Sequence, residues 1–168
     1  CTTEVYVVDS DNAGCPRPVG FWGRQCEQSG GGDTKFNRSQ MYRIVGCVDA
    51  RSDALGLGSD RIGFENFCGL INTADMDQRH QAKRQFAGLV ANVCAGNLGL
   101  VASNGEIIRL SERTRISFPP FAAGTIGELI DEIDAILVEL EPLNLGDPGV
   151  KSRYSEITHV ADAINNGK

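Results

Sequence analysis

Six cysteines, Cys1, Cys15, Cys26, Cys47, Cys68 and Cys94, carry the most reactive groups in this chain, and their spacing decides which chemistry they can do. No CxxC occurs, which removes thioredoxin-like redox chemistry and the common zinc ribbons, and no CxxCH occurs, which removes ordinary c-type haem attachment. The two histidines, His80 and His159, lie far in sequence from the cysteines, so a zinc site is disfavoured. An even count of widely spaced cysteines points to three disulfides formed in an oxidising compartment, each contributing about 2–4 kcal/mol by restricting the unfolded chain. Cys47 is expected to pair with Cys94, since both fall on long helical segments and Gly46 would let another backbone approach. Cys26 with Cys68 and Cys1 with Cys15 then remain. A second reading makes Cys1 the lipid-bearing cysteine of a bacterial lipoprotein, which leaves one thiol unpaired.

Carboxylates are the other reactive set. Glu128, Asp131, Glu132, Asp134, Glu139 and Glu141 crowd residues 125–141 with no Lys or Arg among them. A glycosidase-type hydrolase would need two such groups about 5–9.5 Å apart in a cleft. The expected reading is a solvated helix face, on which Asp131→Asn or Asp134→Asn changes stability by no more than about 0.5 kcal/mol. Residues 9–14 (DSDNAG) resemble the start of a calcium loop, but Ala13 stands where a third ligand belongs and no Glu closes the loop, so a polar turn is expected. No GxSxG, HExxH, P-loop or dinucleotide fingerprint is present, and neither histidine has a neighbouring triad motif. The chain is therefore expected to be non-enzymatic and to need no cofactor or metal. A calcium-dependent binding module and a hydrolase using carboxylates of the 125–141 helix are the alternatives.

The bulk properties narrow the partners. A chain of 168 residues with 41% apolar and 23% charged residues is long enough to bury a core of its own. Its net charge of −6 argues against nucleic acid or an anionic membrane as partner. No apolar run approaches the roughly 20 residues of a membrane span. The start at Cys1 without Met, and without a signal peptide, suggests a mature or excised segment.

The elements that must position these groups follow from pattern. Thr125 and Glu128 form a capping box, and Ile126, Leu129, Ile130, Ile133, Ile136, Leu137 and Leu140 recur at helical spacing behind it. Two further long helices are expected at residues 38–55 and from Asp75 or Asp77 to Gly96, with Gly96 as left-handed cap. A short helix or turn is expected at 64–71, and a last helix at 150–166. Arg79, His80, Lys83 and Arg84 at one helix start, and Glu139 and Glu141 at another's end, have the wrong sign for their helix dipoles. Antiparallel packing of those two helices would ease both. Phe21 and Trp22 are expected to anchor the core. Leu100 to Leu110, with Asn104-Gly105 as turn, is expected to form a small β-hairpin. Residues 3–8 (TEVYVV) suit a strand. Thr3, Val5, Tyr6, Val7 and Val8 are expected to pair with a neighbouring subunit or preceding domain, because a lone strand leaves its backbone groups unpaired.

Four stretches, GFWGRQC, AKRQFAGLVANVCAGNLG, TIGELIDEIDAIL and HVADAINNG, together resemble a family of bacterial secreted or cell-surface domains. Those domains have a Gly-Tyr/Phe-Trp opening and an Ala-Asp-x-Ile-Asn ending. The resemblance covers residues 19–167 and implies a module at the end of a larger extracellular protein, with no catalytic residues to transfer. Arg24-Gln25-Cys26 stands where related openings often carry Lys-His-Gln or Lys-Asn-His, so any metal role of that His is lost here. The resulting expectation is a mainly α fold: a disulfide-linked helical domain with a small β-hairpin and an extended N-terminal arm. Residues 1–18 form the arm and 19–168 the single domain. Its expected role is as an extracellular structural or adhesive module of a surface protein or assembly, partnered by a neighbouring subunit, a preceding domain or a second copy.

Overall fold

A computed structural model describes residues 15–27, 34–73, 77–108 and 110–167. Cys1, the calcium-like stretch at 9–14, and Thr3, Val5, Tyr6, Val7 and Val8 lie outside the described residues. Six helices follow one another: α1 (Val19–Glu27), α2 (Arg38–Arg51), α3 (Asp60–Asn72), α4 (Gln78–Asn97), α5 (Ile126–Leu140) and α6 (Pro148–Asn165). The chain is thus mainly α, as its periodicities predict.

Helix α4 is the centre. Every residue from Phe86 to Ala95 is buried, and α6 is its most extensive partner. Small residues make that closeness possible: a Cβ on Gly88 would stand 2.9 Å from Val19 and 3.2 Å from the Asn165 amide. Helices α2 and α3 pack on the other side of α4, and α1 lies across α3 and α4. Trp22 is fully buried and stacks parallel on Phe36 at 6.0 Å, with Phe21 edge-on at 5.2 Å. The aromatic anchor read from GFW therefore sits in the core, on a short helix.

Two disulfides fasten this layer. Cys26 joins Cys68, tying α1 to α3, and Cys47 joins Cys94, tying α2 to α4. Cys15 is also disulfide-bonded. Both described pairings are those expected from sequence, but the reason offered for the second was wrong. Gly46 has nothing within 4 Å of a would-be Cβ, whereas Gly23, Gly63 and Gly88 are the glycines that meet a neighbour closely.

A buried polar cluster unites the start, middle and end of the chain. The Arg17 backbone N–H donates to Asn92 Oδ1 at 2.8 Å, and Asn92 Nδ2 donates back to the Arg17 carbonyl at 2.9 Å and to Asn165 Oδ1 at 3.1 Å. Asn165 Nδ2 in turn donates to the Gln85 carbonyl at 2.9 Å. Both asparagines are fully buried. Each such bond is worth about 0.5–1.5 kcal/mol net, yet an orphaned partner would cost more than the bond contributes. Gln25 is also fully buried; its Oε1 accepts from the Lys35 and Phe36 backbone at 2.7 and 3.1 Å.

Three expectations need correction. No β-hairpin forms at 100–110; among the described residues there are only isolated bridges, Val101 with Ile107 and Arg115 with Thr125. The Asn104-Gly105 turn is present, with Ala102 N–H donating to the Glu106 carbonyl at 2.8 Å. Its arms form the single Val101–Ile107 bridge, and within the turn Ser103 N–H donates to the Lys35 carbonyl. Helix α2 stops at Arg51, not Leu55, because Ser52 turns extended (φ −143°, ψ 112°). Helix α4 runs past Gly96, and Gly99 (φ +61°) takes the left-handed position. There Leu100 N–H reaches the Ala95 carbonyl and Gly99 N–H the Gly96 carbonyl, the paired bonds of a Schellman end.

The antiparallel relation of α4 and α5 is present, though α6 is α4's chief neighbour. Lys83 near the start of α4 meets Glu141 at the end of α5 at 2.6 Å. The other misplaced cations serve helix ends: Arg84 donates to the Ile71 carbonyl in the last turn of α3, and Arg79 to the Leu143 carbonyl just beyond α5. A cation at a helix C-terminus is favourable, so these side chains suit their neighbours' dipoles rather than their own.

Candidate functional site

Helix α5 begins as its sequence predicts. Thr125 Oγ1 accepts from Glu128 N–H while Glu128 Oε2 accepts from Thr125 N–H. Ile126, Leu129, Ile130, Ile133, Leu137 and Leu140 are buried, and Ile136 is half-buried. The acidic face departs from expectation, for most of its carboxylates have assigned work. Asp134 accepts the Ser52 hydroxyl and the backbone N–H groups of Ala54 (3.1 Å) and Asp53 (3.2 Å), and so holds the chain where α2 ends. Asp131 pairs with Arg51 at 2.6 Å, and Arg51 also reaches Glu112 at 2.9 Å. The hydrogen bond to Asp131 is the largest cause raising the Arg51 guanidinium above its ordinary value, against the opposing effect of burial. Glu139 pairs with Arg153 at 3.1 Å.

Glu128 and Glu132 do something different: together they pin a loop. Glu132 accepts from Ala122 and Ala123 N–H at 3.1 and 3.0 Å, and Glu128 from Gly124 and Thr125 N–H at 2.8 and 3.1 Å. The loop is closed at its base by Ile116 N–H to the Gly124 carbonyl, 3.0 Å, and at its tip Phe121 N–H bonds the Phe118 carbonyl across a cis Pro119–Pro120 bond.

The pinned loop forms one wall of a surface cavity of about 320 Å³. Phe118, Pro119, Pro120 and Phe121 line that side, and α6 supplies Ser152, Ser155, Glu156, His159 and Val160 opposite. Ser152, Ser155, Glu156 and His159 are spaced three or four apart, hence on one helix face. Their side chains are exposed, and among the described residues they make no hydrogen bond or ion pair. No bond therefore joins either serine to His159, as nucleophile and base would require.

Sequence reading singled out His159 but did not connect it to the Phe118–Phe121 segment. The wall opposite α6 comes from a loop with no local signal of where it folds. His80, on α4, does not line this cavity, and its backbone N–H is bonded to the capping Asp77. Among the described residues no group of three or more His, Cys, Asp or Glu is placed to hold a metal ion. No described helix is long and apolar enough to cross a membrane.

No protein-family model, curated protein or solved structure matches this chain.

Proposed function

We propose that this chain is a non-enzymatic structural or adhesive module of an extracellular or cell-surface protein, of the bacterial secreted type its short patterns resemble. The observation that carries the reading is the employment of the acidic helix. Carboxylates that a hydrolase would keep free in a cleft are here acceptors for backbone N–H groups and guanidinium groups, holding α2 and the 118–124 loop in place. The disulfides between α1 and α3 and between α2 and α4 support an oxidising location, where such bonds persist.

Association through the N-terminal arm belongs to the same proposal. Thr3, Val5, Tyr6, Val7 and Val8 are β-branched or aromatic, as strand residues often are, and an added strand binds a neighbouring subunit, a preceding domain or a second copy through main-chain bonds. The test is sedimentation velocity and thermal melting of the full chain beside a Val5→Asp/Val7→Asp variant. Loss of concentration-dependent association with an unchanged melting temperature is the expected result. A variant that melts far lower as a monomer would make the segment part of the fold and remove the association role.

A further inference from the structure

The lining of the cavity between residues 118–121 and α6 bears on the charge of a ligand. It sets two phenyl rings and two prolines against Ser152, Ser155, His159 and a single carboxylate, Glu156, which has no ion-pair partner among the described residues. An anion there would meet Glu156 unfavourably. A neutral apolar molecule would gain nothing from the carboxylate, which is exposed. A cation satisfies both walls at once, since aromatic faces attract positive charge and the carboxylate completes its neutralisation.

We propose that this cavity binds a small organic cation, an ammonium or quaternary ammonium group held between Phe118, Phe121 and Glu156. The volume of about 320 Å³ lies at the small end of the range for ligand pockets, ~300–1,000 Å³, and so suits a small molecule or headgroup. The aromatic wall is already built: four backbone N–H groups of residues 122–125 are bonded to Glu128 and Glu132. A ligand therefore meets a wall it does not have to order, which removes one cost of binding. Ser152 and Ser155 offer hydroxyls to a polar tail on the cation. The chain's net charge of −6 favours encounter with cations. This inference is independent of the association reading, and either can fail while the other stands.

The experiment is an amide chemical-shift titration of the full chain with choline and with 3,3-dimethylbutan-1-ol, its neutral isostere. Choline is expected to shift the amides of Phe118, residues 121–123 and residues 152–160 and to bind about tenfold more tightly than the isostere, the scale of a partly desolvated cation–π contact plus a carboxylate. Glu156→Gln, at an exposed position, is expected to reduce that preference to the part the rings supply, and Glu65→Gln, on α3 and paired with Arg61, to leave it intact. Equal binding of choline and isostere by the unaltered chain, or shifts confined to residues outside the cavity, would overturn the proposal. Co-sedimentation with phosphatidylcholine vesicles alongside choline binding would identify a lipid headgroup as the source; choline binding without it would identify a soluble cation.

Discussion

Helix α5 and helix α6 both carry acidic side chains on an exposed face, yet they use them in opposite ways. On α5, Asp131 and Asp134 reach back to α2, and Glu128 and Glu132 hold the loop that precedes the helix. On α6, Glu156 faces a cavity with no partner among the described residues. Residue type does not separate the two cases. What separates them is whether unsatisfied backbone N–H groups lie within reach. The residues after α2 and before α5 leave helical geometry and free their donors, and a carboxylate is the strongest acceptor to meet them. The α6 row faces side chains that are aromatic or lack donors altogether, so its polar groups stay available.

The largest expected effect lies on the apolar side of α5. Ile133 is fully buried, and Ile133→Ala should destabilise by about 2–5 kcal/mol in denaturant unfolding, through lost burial and the cavity left behind. Next comes the polar side. Asp134→Ala strands the Ser52 hydroxyl and two backbone donors, with an expected loss of about 1–3 kcal/mol. Asp131→Ala, whose side chain is 67% exposed and makes one ion pair, should cost at most about 1 kcal/mol. Equal losses for the two aspartates would mean that backbone capture is not what distinguishes them.

Asp134 also marks the limit of sequence reading. The helix-period stripe and the Thr125–Glu128 box are local, and both are present as read. The partner of Asp134 lies some eighty residues earlier, and nothing near residue 134 announces it. The same carboxylate accepts from Ser52, Asp53 and Ala54 where α2 ends, a contact that no local pattern near those residues shows. The Asn104-Gly105 turn is legible in the sequence, but its flanking residues form only the single Val101–Ile107 bridge, and the bond from Ser103 to the Lys35 carbonyl joins segments far apart in the chain. The asparagines Asn92 and Asn165 stand within the short patterns that suggested a family resemblance, and they prove to be buried hydrogen-bonding residues. The cavity was the least legible feature, because one of its walls is irregular backbone.

Glu106 is an intermediate case, an exposed carboxylate with partners. A side-chain hydrogen bond from Asn104 is the largest cause holding it below the usual carboxylate range, followed by the hydrogen bond and charge of Arg17, 2.6 Å away. A depressed folded value means that its contribution to stability is present above the unfolded pKa and is lost as pH falls through the folded one. In a carbon-detected titration Glu106 should therefore protonate below the ordinary carboxylate range, and Glu106→Gln should flatten part of the acid-side fall in melting temperature. A Glu106 midpoint within the ordinary range would mean that Asn104 and Arg17 do not favour its charged form.

The smallest expected effect is the most discriminating. Glu156→Gln should leave stability unchanged within about 0.5 kcal/mol, as for any surface substitution that breaks no cap, pair or buried bond. His159→Gln should behave alike, since its side chain also has no partner among the described residues. Near-zero values here, beside a clear loss for Asp134→Ala, would show one helix whose acids hold the fold and another whose polar row is free to meet a ligand. A loss above about 1 kcal/mol for Glu156→Gln would place it among the structural acceptors, a size that surface positions without such a role rarely reach. The difference between α5 and α6 would then vanish, and with it the reason to regard the cavity as more than a gap between a loop and a helix.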